Sequence, residues 1–167
     1  RQTRTNLEHP EESPPFKTYK AAWREAFVDA FDSLGIRGDP DHAAQLAVDS
    51  LATREPYEDT FPFLEYVGRR WKRSVLTNAD NGSILPLLQR HGLSFDAVVT
   101  SQIAKAYKPD PRVFHRVLKE TGVSPEEALY VGDTLLDDVH GANLAGVPTA
   151  WLNRNGADTA PPLLPPD

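Results

Sequence analysis

The 167-residue chain contains no cysteine and no methionine. Without thiols there can be no disulfide, no thiolate nucleophile and no cysteine-held zinc, and the composition fits a cytoplasmic protein. The opening Arg1-Gln2-Thr3-Arg4-Thr5-Asn6 is polar and aperiodic, which together with the missing initiator suggests a piece of something longer. A basic run is also lacking. Eighteen Lys and Arg stand against 24 Asp and Glu, a net charge of −6, which argues against a nucleic-acid groove. An anionic substrate would then need a locally positive pocket. No apolar stretch approaches the roughly 20 residues of a membrane span, so no membrane partner is expected. The length suits one domain, or one domain with a small insertion, with a sizeable core.

What the chain does have is punctuated periodicity. Residues 1–15 carry Pro10, Pro14 and Pro15 and read as an extended arm. Tyr19, Trp23, Phe27, Phe31 and Leu34 then recur at spacings of three and four, the apolar stripe of a helix closed by Gly35. Asp39-Pro40 is an N-cap with proline in first helical position, opening a second helix through Ala43, Leu46, Ala47 and Leu51. From residue 59 the rhythm becomes regular. A helix near 61–71 precedes a strand at Ser74-Val75-Leu76, and a helix through Ile84, Leu87 and Leu88 follows, with Pro86 near its first turn. A strand over 95–99, a helix from Pro111 to Gly122, a strand over 128–131, a helix over 137–145 and a strand over 148–152 complete the series. Strand and helix alternating with short links predict an α/β fold with a doubly wound parallel sheet. The organisation expected is an arm (1–15), a helical cap (16–58), an α/β core (59–156) and a proline-rich tail (157–167).

Three segments at or near strand ends carry chemistry. Leu129-Tyr130-Val131-Gly132-Asp133 is an apolar strand ending in an acid, with Asp137 and Asp138 about one helical turn later. Ligands of open α/β sheets bind at the carboxyl ends of the strands, and a cluster of oxygen donors suits a hard cation such as Mg²⁺. The plainer alternative is a helix start with Asp133 as N-cap. Leu76-Thr77-Asn78 offers a hydroxyl and a backbone N–H ahead of a helix N-terminus, an anion cradle or an ordinary capped turn. Lys108-Pro109-Asp110-Pro111 holds its lysine in extended backbone ahead of a helix; Lys105 competes for the same role.

Taken in order, these segments resemble the haloacid dehalogenase-like (HAD) superfamily. Leu76-Thr77-Asn78 is similar to its second motif and Lys108-Pro109-Asp110-Pro111 to its third. Val131-Gly132-Asp133 through Asp138, followed by Gly141-Ala142 and Ala145-Gly146, is similar to its fourth. The helices ahead of the second motif are placed like the family's small C1 cap. The resemblance implies a Rossmann-like core and a phosphatase acting on a small phosphate monoester through an aspartyl-phosphate. It implies that Thr77 and Asn78 bind substrate and that Lys108 neutralises phosphate and nucleophile. Asp133 would ligate Mg²⁺, with Asp138 as second ligand or in the outer shell and Asp137 as its alternative.

The first motif of that family, an apolar strand ending in Asp-x-Asp, is absent: residues 1–16 contain no aspartate. The resemblance places that strand at the sheet's centre, between those ending at Thr77 and Asp133. The expectation is therefore a core whose central first strand is missing, from a chain that is a fragment and, as it stands, lacks its nucleophile. The alternatives are a haloacid dehalogenase, a non-catalytic binding module of the same fold and, with little weight, a receiver-like domain.

Overall fold

The computed structural model describes residues 13–156. The arm expected over 1–15 falls almost wholly outside them, as does the tail over 157–167. Two helices come first, α1 (Tyr19–Leu34) and α2 (Pro40–Ala52). The caps read from sequence at Asp39 and Gly35 are in place: the Asp39 carboxylate accepts from Asp41 and His42, and α1 stops at Gly35. Thr18 adds an N-cap to α1, its Oγ1 accepting from the Ala21 N–H. The aromatic stripe of α1 is half-buried, its rings in contact in pairs, Tyr19 stacked on Trp23 and Phe27 tilted against Phe31. α2 packs on α1 with one face and buries Ala44 and Val48.

The α/β region follows as α3 (Thr60–Gly68), β1 (Ser74–Thr77), α4 (Asn81–Arg90), β2 (Ala97–Thr100), a one-turn α5 (Ser101–Ala104) and α6 (Pro111–Thr121). After a 3₁₀ turn at Pro125–Glu127 come β3 (Tyr130–Gly132), a π-helical turn Leu135–His140, α7 (Gly141–Leu144) and β4 (Thr149–Trp151). α2 also packs against α4, joining the helical pair to this region. Pro86 sits sixth in α4, deeper than the first turn expected, and removes an N–H bond to the carbonyl of Gly82, an exposed residue. The helix expected over 137–145 starts two residues earlier and as a wide turn, with the Asp138 and Val139 amides both donating to Thr134 O. None of the helices among the described residues is long and apolar enough to cross a membrane.

The strands are all parallel, in two pairs: β1 with β2 (Ser74↔Ala97 to Thr77↔Thr100) and β3 with β4 (Tyr130↔Thr149 to Gly132↔Trp151). Among the described residues no strand joins β1 to β3. The link between the pairs is a side chain, with the Tyr130 hydroxyl 3.4 Å from the Leu76 carbonyl oxygen. This interval is where the family resemblance sets that family's first strand.

The core lies beneath the pairs. α6 contributes Val113, Phe114 and Leu118, packed with Ala106, Ala142, Ala145 and Val147, and the Phe114 ring meets Tyr130 edge-on at 5.1 Å. Gly141 is fixed by this packing. A Cβ there would lie 2.8 Å from Phe114 Cε2 and 2.9 Å from Pro109 Cα. Gly141→Ala is expected to cost about 1–3 kcal/mol through overpacking, lowering the melting temperature by about 2–12 °C. A melt indistinguishable from the parent would contradict this close packing.

Candidate active site at the carboxyl ends of the strands

Thr77 is the last residue of β1, and Asn78 leaves the strand toward the loop that carries Lys108. The Lys108 N–H donates to Asn78 Oδ1 at 2.7 Å, and Asn78 Nδ2 donates back to the Lys108 carbonyl at 3.2 Å. This two-way bond fastens the β1 end to the Lys108 loop, so the Asn78 amide is committed to holding the loops together. The same Nδ2 lies 3.4 Å from Asp137 Oδ2. At the head of α4 the Asn81 N–H is given to Gln102 Oε1, so that helix start is partly satisfied from within.

Lys108 precedes a cis peptide bond to Pro109. Its ammonium is buried and donates to Asp138 Oδ1 at 2.5 Å and to the Tyr130 hydroxyl at 2.9 Å. Lys105 is elsewhere. It is exposed in left-handed backbone (φ 55°), with Nζ 5.4 Å from the centre of the Phe16 ring.

Asp138 is the hub. Oδ1 takes Lys108 and the Tyr130 hydroxyl (2.9 Å), and Oδ2 accepts from the amides of Asp133 (3.1 Å) and Thr134 (3.0 Å). Burial pushes this carboxyl's pKa up, but the Lys108 charge and the hydrogen bonds from Lys108, Thr134 and Tyr130 outweigh it and leave it below the ordinary value. Tyr130 is held well above the ordinary phenol range by burial and by the Asp138 charge, so it remains a proton donor. As pH falls, the unfolded chain therefore protonates at Asp138 before the folded one does. Stability contributed by Asp138 is present above its unfolded pKa, near 3.8, and is lost as pH falls through the lower folded value. The unfolding free energy is expected to decline between about pH 5 and 3, with a smaller decline in Asp138→Asn. Matching slopes in urea titrations of the two proteins would contradict the assignment.

Gly132 makes this hub possible. A Cβ on it would stand 2.5 Å from Asp138 Cγ, so any side chain would drive the carboxylate off its partners. Gly132→Ala is expected to cost about 3 kcal/mol, as breaking the buried pair would. A melting temperature within a degree of the parent would refute that.

Asp133 is exposed at the end of β3, its carbonyl accepting from the Trp151 indole N–H (3.1 Å) and its carboxylate 3.4 Å from the Thr134 hydroxyl. Among the described residues no three acidic, histidine or cysteine side chains gather as a preformed metal cage. The segments singled out in sequence are thus connected: Asn78 to Lys108, Lys108 to Asp138, Asp138 to Asp133, all at the carboxyl ends of β1 and β3. Tyr130 gives no sequence signal of its place here, since it occupies an ordinary apolar strand position.

Comparisons with known proteins bear on the family and the fold. A family model described as haloacid dehalogenase-like hydrolase matches residues 18–152. A phosphoserine phosphatase of Thermus thermophilus is 36% identical over 163 residues, covering 88% of this chain and 62% of that protein. A glyceraldehyde 3-phosphate phosphatase of Methanopyrus kandleri is 36% identical over 107 residues, covering 62% and 46%. The chain thus spans between about half and three fifths of these relatives. Among solved structures, a Bacillus subtilis HAD-hydrolase bound to magnesium superposes with a TM-score of 0.77 at 22% identity, over 89% of this chain and 67% of that one. An L-2-haloacid dehalogenase from Xanthobacter autotrophicus gives 0.67 at 28% identity, over 81% and 55%.

Proposed function

We propose, since the chain belongs to the haloacid dehalogenase-like hydrolase family, that it is the larger part of a Mg²⁺-dependent phosphatase acting on a small phosphate monoester through an aspartyl-phosphate. The observation that carries this reading is the hydrogen-bonded series Asn78–Lys108–Asp138–Asp133, which brings a buried ammonium and an exposed carboxylate to one rim. The phosphatases among its relatives support the substrate class.

In this reading Thr77 binds phosphate oxygens, and Asn78 keeps the Lys108 loop in register with it. Lys108 neutralises charge on the phosphoryl group and on the attacking carboxylate. The nucleophile comes from a strand outside this sequence that fills the interval between β1 and β3, which the Tyr130 hydroxyl reaches across to the Leu76 carbonyl. The donor set fits Mg²⁺, which takes one or two carboxylates together with substrate phosphate rather than a full protein cage. Asp133 is the ligand. Asp138 serves from the outer shell, because both its oxygens are engaged by Lys108, Tyr130 and backbone amides. Mg²⁺, when bound, supplies orientation and charge neutralisation to the phosphoryl group. The helical pair α1–α2 is the cap, and the working compartment is the cytoplasm.

The protein translated from its whole reading frame is expected to hydrolyse p-nitrophenyl phosphate with Mg²⁺, to stop in EDTA and to resume when Mg²⁺ is restored. Metal-independent turnover, or chloride release from 2-chloropropionate in place of phosphate release, would overturn the phosphatase reading.

A further inference from the structure

Two peptide groups meet at the Cα of Asp133, and all four of their polar atoms are hydrogen-bonded. In the group before it, the Gly132 carbonyl accepts from the Leu152 N–H at 2.7 Å, and the Asp133 N–H donates to Asp138 Oδ2 at 3.1 Å. In the group after it, the Thr134 N–H donates to the same oxygen at 3.0 Å, and the Asp133 carbonyl accepts from the Trp151 indole Nε1–H at 3.1 Å. Each peptide group is rigid and planar, so fastening both leaves φ and ψ of Asp133 little freedom. The direction in which its Cα–Cβ bond leaves the chain is thereby set, and only side-chain rotation remains to the exposed carboxylate. β4 contributes two of the four bonds because it runs in register beside β3, with Gly132 opposite Trp151. Two others end on Asp138, which also holds Lys108. Of the four, only the Trp151 bond can be removed by a side-chain change that leaves the Lys108–Asp138 pair alone.

We propose that Trp151 is a positioning residue for the metal ligand: its indole N–H sets the course of the chain at Asp133, so that Mg²⁺ affinity depends on it and the phosphate grip at Lys108 does not. This rests on the phosphatase reading above, in which Asp133 is the Mg²⁺ ligand. Groups that orient a metal ligand from behind change affinity by about 10–100-fold when they are lost. Asp133 depends on such support more than Asp138 does. The Asp138 carboxylate has four partners of its own, whereas that of Asp133 is exposed and lies 3.4 Å from the Thr134 hydroxyl. Trp151 is itself partly buried at the rim end of β4, so its ring is placed before any ligand arrives. The bonds that align Lys108 run to Asn78, Tyr130 and Asp138, and none of them involves the indole.

The test compares the parent with Trp151→Phe in the protein from the whole reading frame. A second variant carries benzothienylalanine in place of Trp151, which keeps the indole's shape and puts sulfur where the N–H was, should the first fold poorly. In metal-free protein, amide exchange at Thr134 is expected to speed up about fivefold, with the Lys108 amide unchanged. The Kd for Mg²⁺ by titration calorimetry is expected to rise about tenfold. The Mg²⁺ concentration for half-maximal turnover of p-nitrophenyl phosphate should rise with it, while kcat at saturating Mg²⁺ stays within about twofold. Unchanged exchange at Thr134, or an unchanged Kd, would overturn the positioning role. A loss of kcat that saturating Mg²⁺ does not restore would overturn it as well, since the indole would then act on more than the ligand. A parent that binds no Mg²⁺ and releases no phosphate would instead count against the phosphatase reading, and the exchange result would still decide whether Trp151 holds the chain at Asp133.

Discussion

Asp138→Asn is expected to destabilise the protein by about 3–5 kcal/mol, because it leaves the Lys108 ammonium buried without its counter-charge. For a domain of this size that corresponds to a melting temperature lower by about 6–20 °C. The size of the effect follows from burial. The Lys108 and Asp138 side chains are only 11% and 5% exposed, so water cannot take over the lost partner. Exposed pairs such as Arg24–Asp41, with side chains 51% and 61% exposed, contribute far less. The penalty belongs to the orphaned charge, so removing both charges should cost much less than removing one. Lys108→Met combined with Asp138→Asn is accordingly expected to melt above Asp138→Asn alone. Thermal melts of the two single variants and the double variant check this, and strictly additive losses would show that the two groups do not depend on each other.

Lys108→Ala should lower kcat by about 10²–10³-fold in the protein carrying its nucleophile, the usual loss when one charge-stabilising donor is removed. The ammonium is held by Tyr130 and Asp138 at the rim shared by β1 and β3, and among the described residues no other cationic side chain is hydrogen-bonded to these two. Lys105 in particular lies over Phe16. Destabilisation must be separated from chemistry, since the variant also strands Asp138. Turnover should therefore be measured well below the variant's own melting temperature. Parent-like kcat in Lys108→Ala, or a comparable loss in Lys105→Ala, would move the role away from Lys108.

Much of this architecture is legible in the sequence. The stripe at Tyr19, Trp23, Phe27 and Phe31 fixes α1 because its spacing admits only a helix, and Asp110-Pro111 with Gly122 brackets α6 as expected. The short strands are less exactly legible. The sequence predicts β3 over 128–131, and it is found at Tyr130–Gly132, since its ladder starts only where Pro148 and Thr149 come alongside. The acids after Gly132 were harder still. Asp137 and Asp138 are adjacent in the sequence, and the π-helical turn that decides which one meets Lys108 has no composition of its own. Asn78 reads as a substrate ligand by position, yet its amide ties two loops, a partnership 30 residues distant that no local pattern encodes. Asp80 and Tyr107 carry no local signal for the same reason: their hydrogen-bond partners Tyr19 and Lys17 lie 61 and 90 residues away along the chain.

The most direct test of the central claim is a titration of the whole protein with Mg²⁺ and orthophosphate, followed through backbone amide signals. The account predicts that Thr77, Lys108 and Asp133 shift together and saturate at one concentration, and that omitting Mg²⁺ abolishes the response at Asp133. Shifts at one of these segments while the other two stay fixed would contradict it.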